Sequence, residues 1–299
     1  LLKQFSEYSL DKNAVDKSIE KVYKEYKVTD LLMAGYSSKS ALSLARTAQK
    51  NSLNIWLTIN SWKDFFVNSY IPFNPTKIFS WNEGMKKQIV SLNSHIEQNS
   101  VEVVGNLSFD RFYNYIPVNS IDYYSTKYGF NKNRPIILYT MISPRAYPHE
   151  KDIIELINKR LIEKFENEEQ RPIIVLRSNP IDETELVNSY YTGNNVVYAD
   201  NYFDASYNNA VFCQLPAGEN EWLDLLHYCK LNINVASTVT LEALLMNKPV
   251  INIEFSPSGK KDEELSRYSS APFYKPLLNR KDVSIIDNID DCINQIIEY

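Results

Sequence analysis

Glycine is scarce in this chain, with seven residues among 299. Neither a G-x-G-x-x-G nor a G-x-x-x-x-G-K-[S/T] sequence occurs in it, and both motifs use closely spaced glycines to bring the backbone against phosphate. The scarcity of glycine therefore disfavours a Rossmann dehydrogenase and a P-loop NTPase. Long apolar runs are also missing. The longest, such as PIIVL and PVINI, are far shorter than the ~20 residues of a helix that spans a bilayer.

The residue types that usually bind metals are few and scattered. The chain has only three histidines, with no H-E-x-x-H sequence and no Cys/His cluster, which argues against a zinc site. No two of the three cysteines, Cys213, Cys229 and Cys292, form a C-x-x-C pair. We expect them to be reduced, as in cytosolic proteins, rather than to form a disulfide framework.

Composition predicts a folded globular protein with room for two α/β domains. Hydrophobic residues make up 44% of the chain and charged residues 23%, with a mean hydropathy of -0.36. The net charge of -5 argues against a nucleic-acid partner, which requires a basic face. The chain begins at Leu1 without methionine or a signal-type region. We therefore expect that an upstream segment has been removed and that the N-terminal domain is truncated.

Short apolar runs alternate with helical patterns along the chain, which is typical of parallel α/β layers. The helical patterns predict a helix over residues 83–92 and a short amphipathic helix over EWLDLLHYC, residues 221–229. Residues 114–133 lack long apolar periodicity, and the strand–helix pattern restarts at residue 134. We predict an α/β fold of two Rossmann-like, doubly wound domains that face a cleft. Ligands of such sheets bind beyond the carboxyl ends of the strands. The predicted parts are an N-terminal, acceptor-side domain over 1–115, a linker over 116–133, a nucleotide-donor domain over 134–287 and a final helix over 288–299.

The most informative segment is LNINVASTVTLEALLMNKPVI, residues 231–251. Apolar residues first alternate with asparagine as in a strand, and Ser237, Thr238 and Thr240 then stand where a helix should begin. Unpaired N–H groups and the positive end of the helix dipole attract phosphate at such a turn, and hydroxyl groups add donors. The same residue types are also ordinary helix N-caps, so a capped helix without a ligand is the alternative.

Other predicted strand-end loops of the second domain carry suitable groups. Arg177 follows a strand and is suited to bidentate binding of a diphosphate, although a surface arginine beside a strand end is an equally ordinary feature. Ser143 and Arg145 lie in a Ser-Pro loop, which is also common turn chemistry. Glu242, one turn into the predicted helix, can accept hydrogen bonds from ribose hydroxyls or simply favour the helix N-terminus.

Several of these segments resemble one family. The run STVTLEALLMNKPVINIEF resembles the donor-side signature of GT-B glycosyltransferases, especially bacterial surface and capsular polysaccharide enzymes and their CDP-glycerol glycerophosphotransferase relatives. Asn247 replaces the glycine of the family's usual Gly-Lys-Pro-Val. In the first half, KIFSWNEGMKKQIV and VEVVGNLSFDRF resemble the family's Trp-x-Glu turn and V-x-G-x-x-x-F-D segment. Asn179 stands where the family has the histidine of an Arg-x-His-Pro turn, and the likeness covers roughly residues 30–280.

The resemblance implies transfer of a sugar or polyol phosphate from a nucleotide-activated donor to a hydroxyl of a glycan or lipid-linked acceptor. The donor would be UDP-, CDP- or GDP-linked. It implies no permanent cofactor and no metal, and the chain has no Asp-x-Asp pair for Mg²⁺ or Mn²⁺. It also implies a bacterial, cytoplasmic protein that associates peripherally with the inner face of the membrane.

The resemblance assigns roles to the donor-side residues. Arg177 would neutralise the charge that develops on the leaving diphosphate, and Glu242 would hold ribose. The predicted nucleotide-binding residues are Ser143, Arg145, Arg177, Asn179, Ser237, Thr238, Thr240 and Glu242.

We expect the base that activates the acceptor to come from the first domain. The candidates are Asp64 after the segment NSWKD, Glu83 in the turn SWNEG and Asp110 in LSFDRF. Aspartate and glutamate are also common cap and turn residues, so a structural role is the alternative for each.

Two other functions compete with transfer. A non-hydrolysing nucleotide-sugar 2-epimerase shares the fold, but would need several carboxylates and a histidine at the cleft. A non-catalytic nucleotide-binding or scaffold domain of the same fold would explain the departures from the family pattern at Asn179 and Asn247.

Overall fold

The computed structural model describes residues 16–64, 70–143, 146–178, 195–199 and 216–299. The chain divides into two compact units, Leu1–Ser108 and Phe109–Tyr299. Each unit contains a parallel sheet with helices packed against it. The predicted α/β fold with two Rossmann-like units is therefore confirmed.

The first unit contains a four-stranded parallel sheet in the order β1-β2-β3-β4. Its helices bury their apolar stripes on the sheet, as Leu42, Ala45 and Ala48 do at three-residue spacing against Ile55 and Leu57. The elements are α1 (Lys17–Glu25), β1 (Asp30–Ala34), α2 (Lys39–Lys50), β2 (Asn54–Thr58), β3 (Lys77–Ser80), α3 (Glu83–Leu92) and β4 (Val101–Val103), with a 3-10 turn at Gln98–Ser100.

The second unit contains a six-stranded parallel sheet in the order β10-β9-β8-β5-β6-β7. A short 3-10 helix, Leu107–Phe112, leads into it. The remaining elements are α4 (Ile121–Tyr128), β5 (Ile136–Thr140), α5 (Glu150–Lys164), β6 (Ile173–Arg177), β7 (Val196–Ala199), α6 (Pro216–Tyr228), β8 (Leu231–Asn234), α7 (Val239–Leu245), β9 (Val250–Ile253), α8 (Glu263–Ser269), a 3-10 turn at Lys275–Leu277, β10 (Val283–Ile286) and α9 (Ile289–Glu298).

The winding of this second sheet reverses between β5 and β8. Strands β5, β6 and β7 extend in one direction, and β8, β9 and β10 extend in the other. In doubly wound sheets the crevice at such a reversal, beyond the carboxyl ends of the strands, is the usual place for a ligand.

Both faces of the second sheet are covered. Ile137 and Tyr139 of β5 pack in the same core as helices α5 and α9, whereas Ile136 and Leu138 pack in the core that contains α6. Every residue of β5 and of β6 is buried. This explains why IILYT and IIVLR are continuous apolar runs rather than alternating ones.

The segment interpreted as a linker contains ordered structure that belongs to the second unit. Helix α4 lies within it, and its Tyr124 is completely buried. Asp224 of α6, also buried, accepts hydrogen bonds from the Tyr115 hydroxyl at 2.7 Å, the Val118 amide at 2.8 Å and the Tyr124 hydroxyl at 2.6 Å. This one carboxylate therefore ties much of the segment to α6.

Two further properties of the described residues bear on the sequence predictions. None of their helices is both long and apolar enough to cross a membrane. Cys229 and Cys292 are buried and unpaired, and burial raises the pKa of each thiol to about 12. Cys213 lies outside the described residues.

Candidate functional site

Polar residues line the carboxyl edge of the second sheet where its winding reverses. Thr140, the last residue of β5, lies opposite Arg177 of β6 on one side and opposite Asn234 of β8 on the other. Asn234 in turn lies opposite Asn252 of β9. Because side chains alternate along a strand, these residues point to the sheet face that also carries Leu138 and Val175. The strand register therefore places four polar side chains side by side at this edge.

The hydroxyl-rich turn after β8 is held from inside by two of these asparagines. The amide of Ala236 donates to Asn252 Oδ1 at 3.0 Å, and the amide of Ser237 donates to Asn234 Oδ1 at 3.0 Å. Ala236 has a φ of 34°, a left-handed conformation that is unfavourable for a residue with a side chain. The asparagines stabilise this conformation by satisfying the amides on both sides of the bend.

The structure changes the roles of two of the predicted hydroxyls. Thr240 is fully buried, and its hydroxyl accepts from the Tyr274 hydroxyl at 2.8 Å and lies 3.2 Å from Oδ1 of Asn234. The Thr240 hydroxyl is thus already hydrogen-bonded in the core, and the contact of Thr240 with a diphosphate remains a prediction. The half-buried Ser237 hydroxyl accepts from the Val239 amide at 3.3 Å, which is the capping alternative. Thr238, in contrast, is exposed.

Arg177 is a buried cation without a partner in the described part of the chain. Its side chain is 8% exposed, and its Nη1 has no hydrogen-bond partner. The guanidinium stacks on the Trp222 ring of α6, with Cζ 4.7 Å from the ring centroid. Burial lowers the pKa of Arg177 to about 10, opposed by Glu221 and Glu242, so the group is charged at neutral pH. A buried charge of this kind is costly unless an anion pairs with it.

Glu242 is hydrogen-bonded to the same tryptophan. Trp222 Nε1 donates to Glu242 Oε2 at 3.0 Å. Burial raises the pKa of Glu242, whereas Arg111, Trp222 and Arg177 act in the opposite direction. The half-buried carboxylate therefore lies within electrostatic range of the Arg177 guanidinium.

Helix α6 brings further charged groups to this cluster. Glu221 is almost fully buried, pairs with Lys127 Nζ at 2.6 Å and accepts a hydrogen bond from the Tyr128 hydroxyl. Glu219, two residues earlier, pairs with Arg111. Sequence reasoning predicted a helix here but missed Trp222 and Glu221 as site residues. The signal that was available is the pair Glu221-Trp222 in a helix that leads directly into β8.

The loop after β5 is described only in part. Ser143 is half-buried, and its carbonyl accepts from the amides of Ala146 at 2.8 Å and Tyr147 at 3.1 Å, as in an ordinary turn. Arg145 lies outside the described residues, and so does Asn179 in the segment after β6. Their predicted contacts with a nucleotide remain predictions.

The three candidate bases differ in their surroundings. Asp64 is half-buried, accepts from the Ser61 amide at 3.0 Å, and has a pKa that burial raises. Glu83 is exposed at the start of α3, next to Asn82, whose side chain accepts from the Met85 amide at 2.9 Å and caps the helix. Asp110 is exposed in the short 3-10 helix and belongs to the second unit. Of the three candidates, only Asp64 is partly buried.

No three His, Cys, Asp or Glu side chains meet in an arrangement suited to a metal ion within the ranges that the structure describes.

The fold is similar to solved nucleotide-sugar enzymes, whereas the sequence matches no family model and no curated protein. The UDP-GlcNAc 2-epimerase from Neisseria meningitidis, bound to UDP-GlcNAc, superposes with a TM-score of 0.58 at 16% identity, over 95% of this chain and 72% of that one. A glycosyltransferase from Rickettsia africae gives 0.51 at 15% identity, over 94% and 69%. The wall teichoic acid polymerase TagF gives 0.52 at 12% identity, over 90% and 62%. Likeness at these identities establishes the GT-B fold.

Proposed function

We propose that this chain is a nucleotide-sugar enzyme whose second unit binds the diphosphate of a nucleotide-activated donor. The observation that carries the proposal is Arg177, a buried guanidinium whose Nη1 has no hydrogen-bond partner among the described residues. It lies at the carboxyl edge of the sheet, one strand away from the winding reversal. A planar guanidinium matches the geometry of phosphate oxygens. The fold neighbour bound to UDP-GlcNAc supports the same class of ligand.

The reaction that we propose is transfer of a sugar or polyol phosphate to a hydroxyl acceptor. Arg177 stabilises the negative charge that develops on the departing diphosphate, and the exposed Thr238 hydroxyl adds a donor at the neighbouring turn. Glu242 accepts hydrogen bonds from the ribose hydroxyls. Asp64 is the proposed base that takes the proton of the acceptor, because burial raises its pKa toward neutral values.

The assay incubates UDP-, CDP- and GDP-linked sugars and CDP-glycerol with and without a hydroxyl acceptor and measures free nucleotide. We expect release that depends on the acceptor. In R177Q a donor that stabilises the developing charge is lost, so the rate of nucleotide release should fall about a hundredfold. Arg160→Gln, at an exposed arginine paired with Asp290, is the matched control and should behave like the wild type. Acceptor-independent interconversion of two nucleotide sugars would contradict transfer.

A second candidate is epimerisation of a nucleotide sugar, and a specific observation favours it. Glu221 and Glu242 both lie close enough to Arg177 to influence its charge, and epimerisation requires several carboxylates at the reacting sugar. The acceptor-free arm of the assay separates the two reactions. Absence of binding to every nucleotide in the panel would favour the scaffold alternative over both.

A further inference from the structure

Trp222 contacts the two proposed ligand-binding side chains at once. Its ring lies under the Arg177 guanidinium, and its indole N–H donates to the Glu242 carboxylate at 3.0 Å. Trp222 is itself only 5% exposed and packs in the core formed by helix α6 and the sheet. Packing therefore fixes the position of the Trp222 side chain, and with it the positions of the ring under Arg177 and of the N–H that bonds to Glu242.

The opposite charges on Arg177 and Glu242 influence each other without forming a bond. Each affects the pKa of the other through space. Within the described residues, however, Arg177 Nη1 has no hydrogen-bond partner, and the Glu242 oxygen Oε2 is bonded to the indole. A half-buried carboxylate within electrostatic range of a buried guanidinium would ordinarily form a bidentate pair with it. The indole N–H provides an alternative partner that keeps the carboxylate away.

We propose that Trp222 is a positioning residue that keeps Arg177 available to an anionic ligand by holding Glu242 apart from it. The inference rests on the proposed function, because it assumes that the ligand of Arg177 is a diphosphate. The indole ring supports the guanidinium from below through a cation–π contact. The indole N–H satisfies Glu242, which would otherwise compete with the diphosphate for the same guanidinium donors.

The test measures the dissociation constant of inorganic pyrophosphate by calorimetry, because this probe has no ribose and reports on the diphosphate site alone. W222F keeps an aromatic ring for Arg177 but removes the N–H, so Glu242 is released to pair with Arg177. We expect W222F to bind pyrophosphate about tenfold more weakly than the wild type, the effect of one hydrogen bond to a charged group. Circular dichroism and thermal unfolding verify that the variant is folded.

A rescue variant separates positioning from a merely structural role. In W222F/E242Q the competing charge is gone, so pyrophosphate affinity should return to within about twofold of the E242Q single variant. The matched control is W56F in the first unit, where the indole likewise donates to a carboxylate, Asp30 at 2.9 Å, and stacks on an aromatic ring. This variant should bind pyrophosphate like the wild type.

The outcomes separate the inference from the proposed function. The positioning role would be overturned if W222F bound pyrophosphate as tightly as the wild type, or if W222F and W222F/E242Q were weakened equally. In either case, weaker pyrophosphate binding by R177Q would leave the proposed function standing. Weaker pyrophosphate binding by W56F would also overturn the positioning role. So would a wild-type protein that binds UDP but not pyrophosphate. A wild-type protein that binds neither pyrophosphate nor any of UDP, CDP and GDP contradicts the proposed function itself.

Discussion

At the scale of single residues, the polar groups near the carboxyl edge have two different roles. Thr240, Asn234 and Asn252 bond to one another and to the turn that follows β8. Arg177, in contrast, is buried with Nη1 unpaired among the described residues. Groups that satisfy one another stabilise the fold, whereas an unpaired buried charge costs stability and is expected where a ligand binds.

The structural role of Thr240 can be tested with an isosteric variant. Thr240→Val leaves the buried Tyr274 hydroxyl without its 2.8 Å partner, so we expect the free energy of unfolding to fall by about 1–3 kcal/mol. Urea unfolding measures this change. Thr238→Val, at an exposed position, is the control and should unfold like the wild type. Equal stabilities for the two variants would contradict the assignment of Thr240 to the core.

Replacement of Glu242 should raise stability but weaken nucleotide binding. Burial raises its pKa, so the folded protein disfavours the ionised form, and this cost grows as pH rises through that pKa. The E242Q variant should therefore melt at a higher temperature than the wild type at neutral pH, and the difference should shrink as the solution is acidified. UDP affinity should fall, because a ribose contact is lost. A lower melting temperature at neutral pH would contradict this account.

At the scale of secondary-structure elements, much of the fold could be predicted from the sequence. Helix α3 occupies the predicted range Glu83–Leu92, and the apolar runs PIIVL and PVINI correspond to β6 and β9 to within one residue at each end. Helix α4 was missed because it has only eight residues and is rich in tyrosine, which gives no helical apolar stripe. The helix containing Trp222 was predicted, but periodicity alone does not tell which strand-end residue its tryptophan contacts.

The end of α7 explains one departure from the GT-B pattern. Asn247 has a φ of 56°, the Asn247 amide donates to the Leu244 carbonyl at 3.0 Å, and the Lys248 amide donates to the Ala243 carbonyl at 2.9 Å. This is a Schellman motif, in which glycine is the usual left-handed residue and asparagine a common substitute. The replacement of glycine at this position therefore preserves the turn, so it no longer supports a degenerate scaffold.

A pair of glycine variants tests this interpretation. Asn247→Gly should raise the free energy of unfolding by up to about 1 kcal/mol, because glycine adopts a positive φ without steric cost. Asn51, at the end of α2, has a φ of -92°, and N51G should be neutral or destabilising. Chemical denaturation compares the two variants. Greater stabilisation by N51G than by N247G would contradict the Schellman interpretation.

At the scale of the whole molecule, topology decides where the candidate site lies. The strand order of the second sheet reverses between β5 and β8, and the loops after these two strands carry Ser143 and the turn at Ser237. The alternation of strands and helices predicted the type of sheet. The strand order, and therefore the alignment of Thr140 with both Arg177 and Asn234, comes only from the structure.

The most direct test of the central claim is the calorimetric dissociation constant of UDP, CDP and GDP for the wild type and for R177Q. A hydrogen-bonded contact between a guanidinium and a diphosphate predicts at least about tenfold weaker binding in R177Q. Without ligand, R177Q should be no less stable than the wild type, because an unpaired buried charge has been removed. The R160Q control should bind like the wild type. Equal nucleotide affinity for the wild type and R177Q would contradict the account.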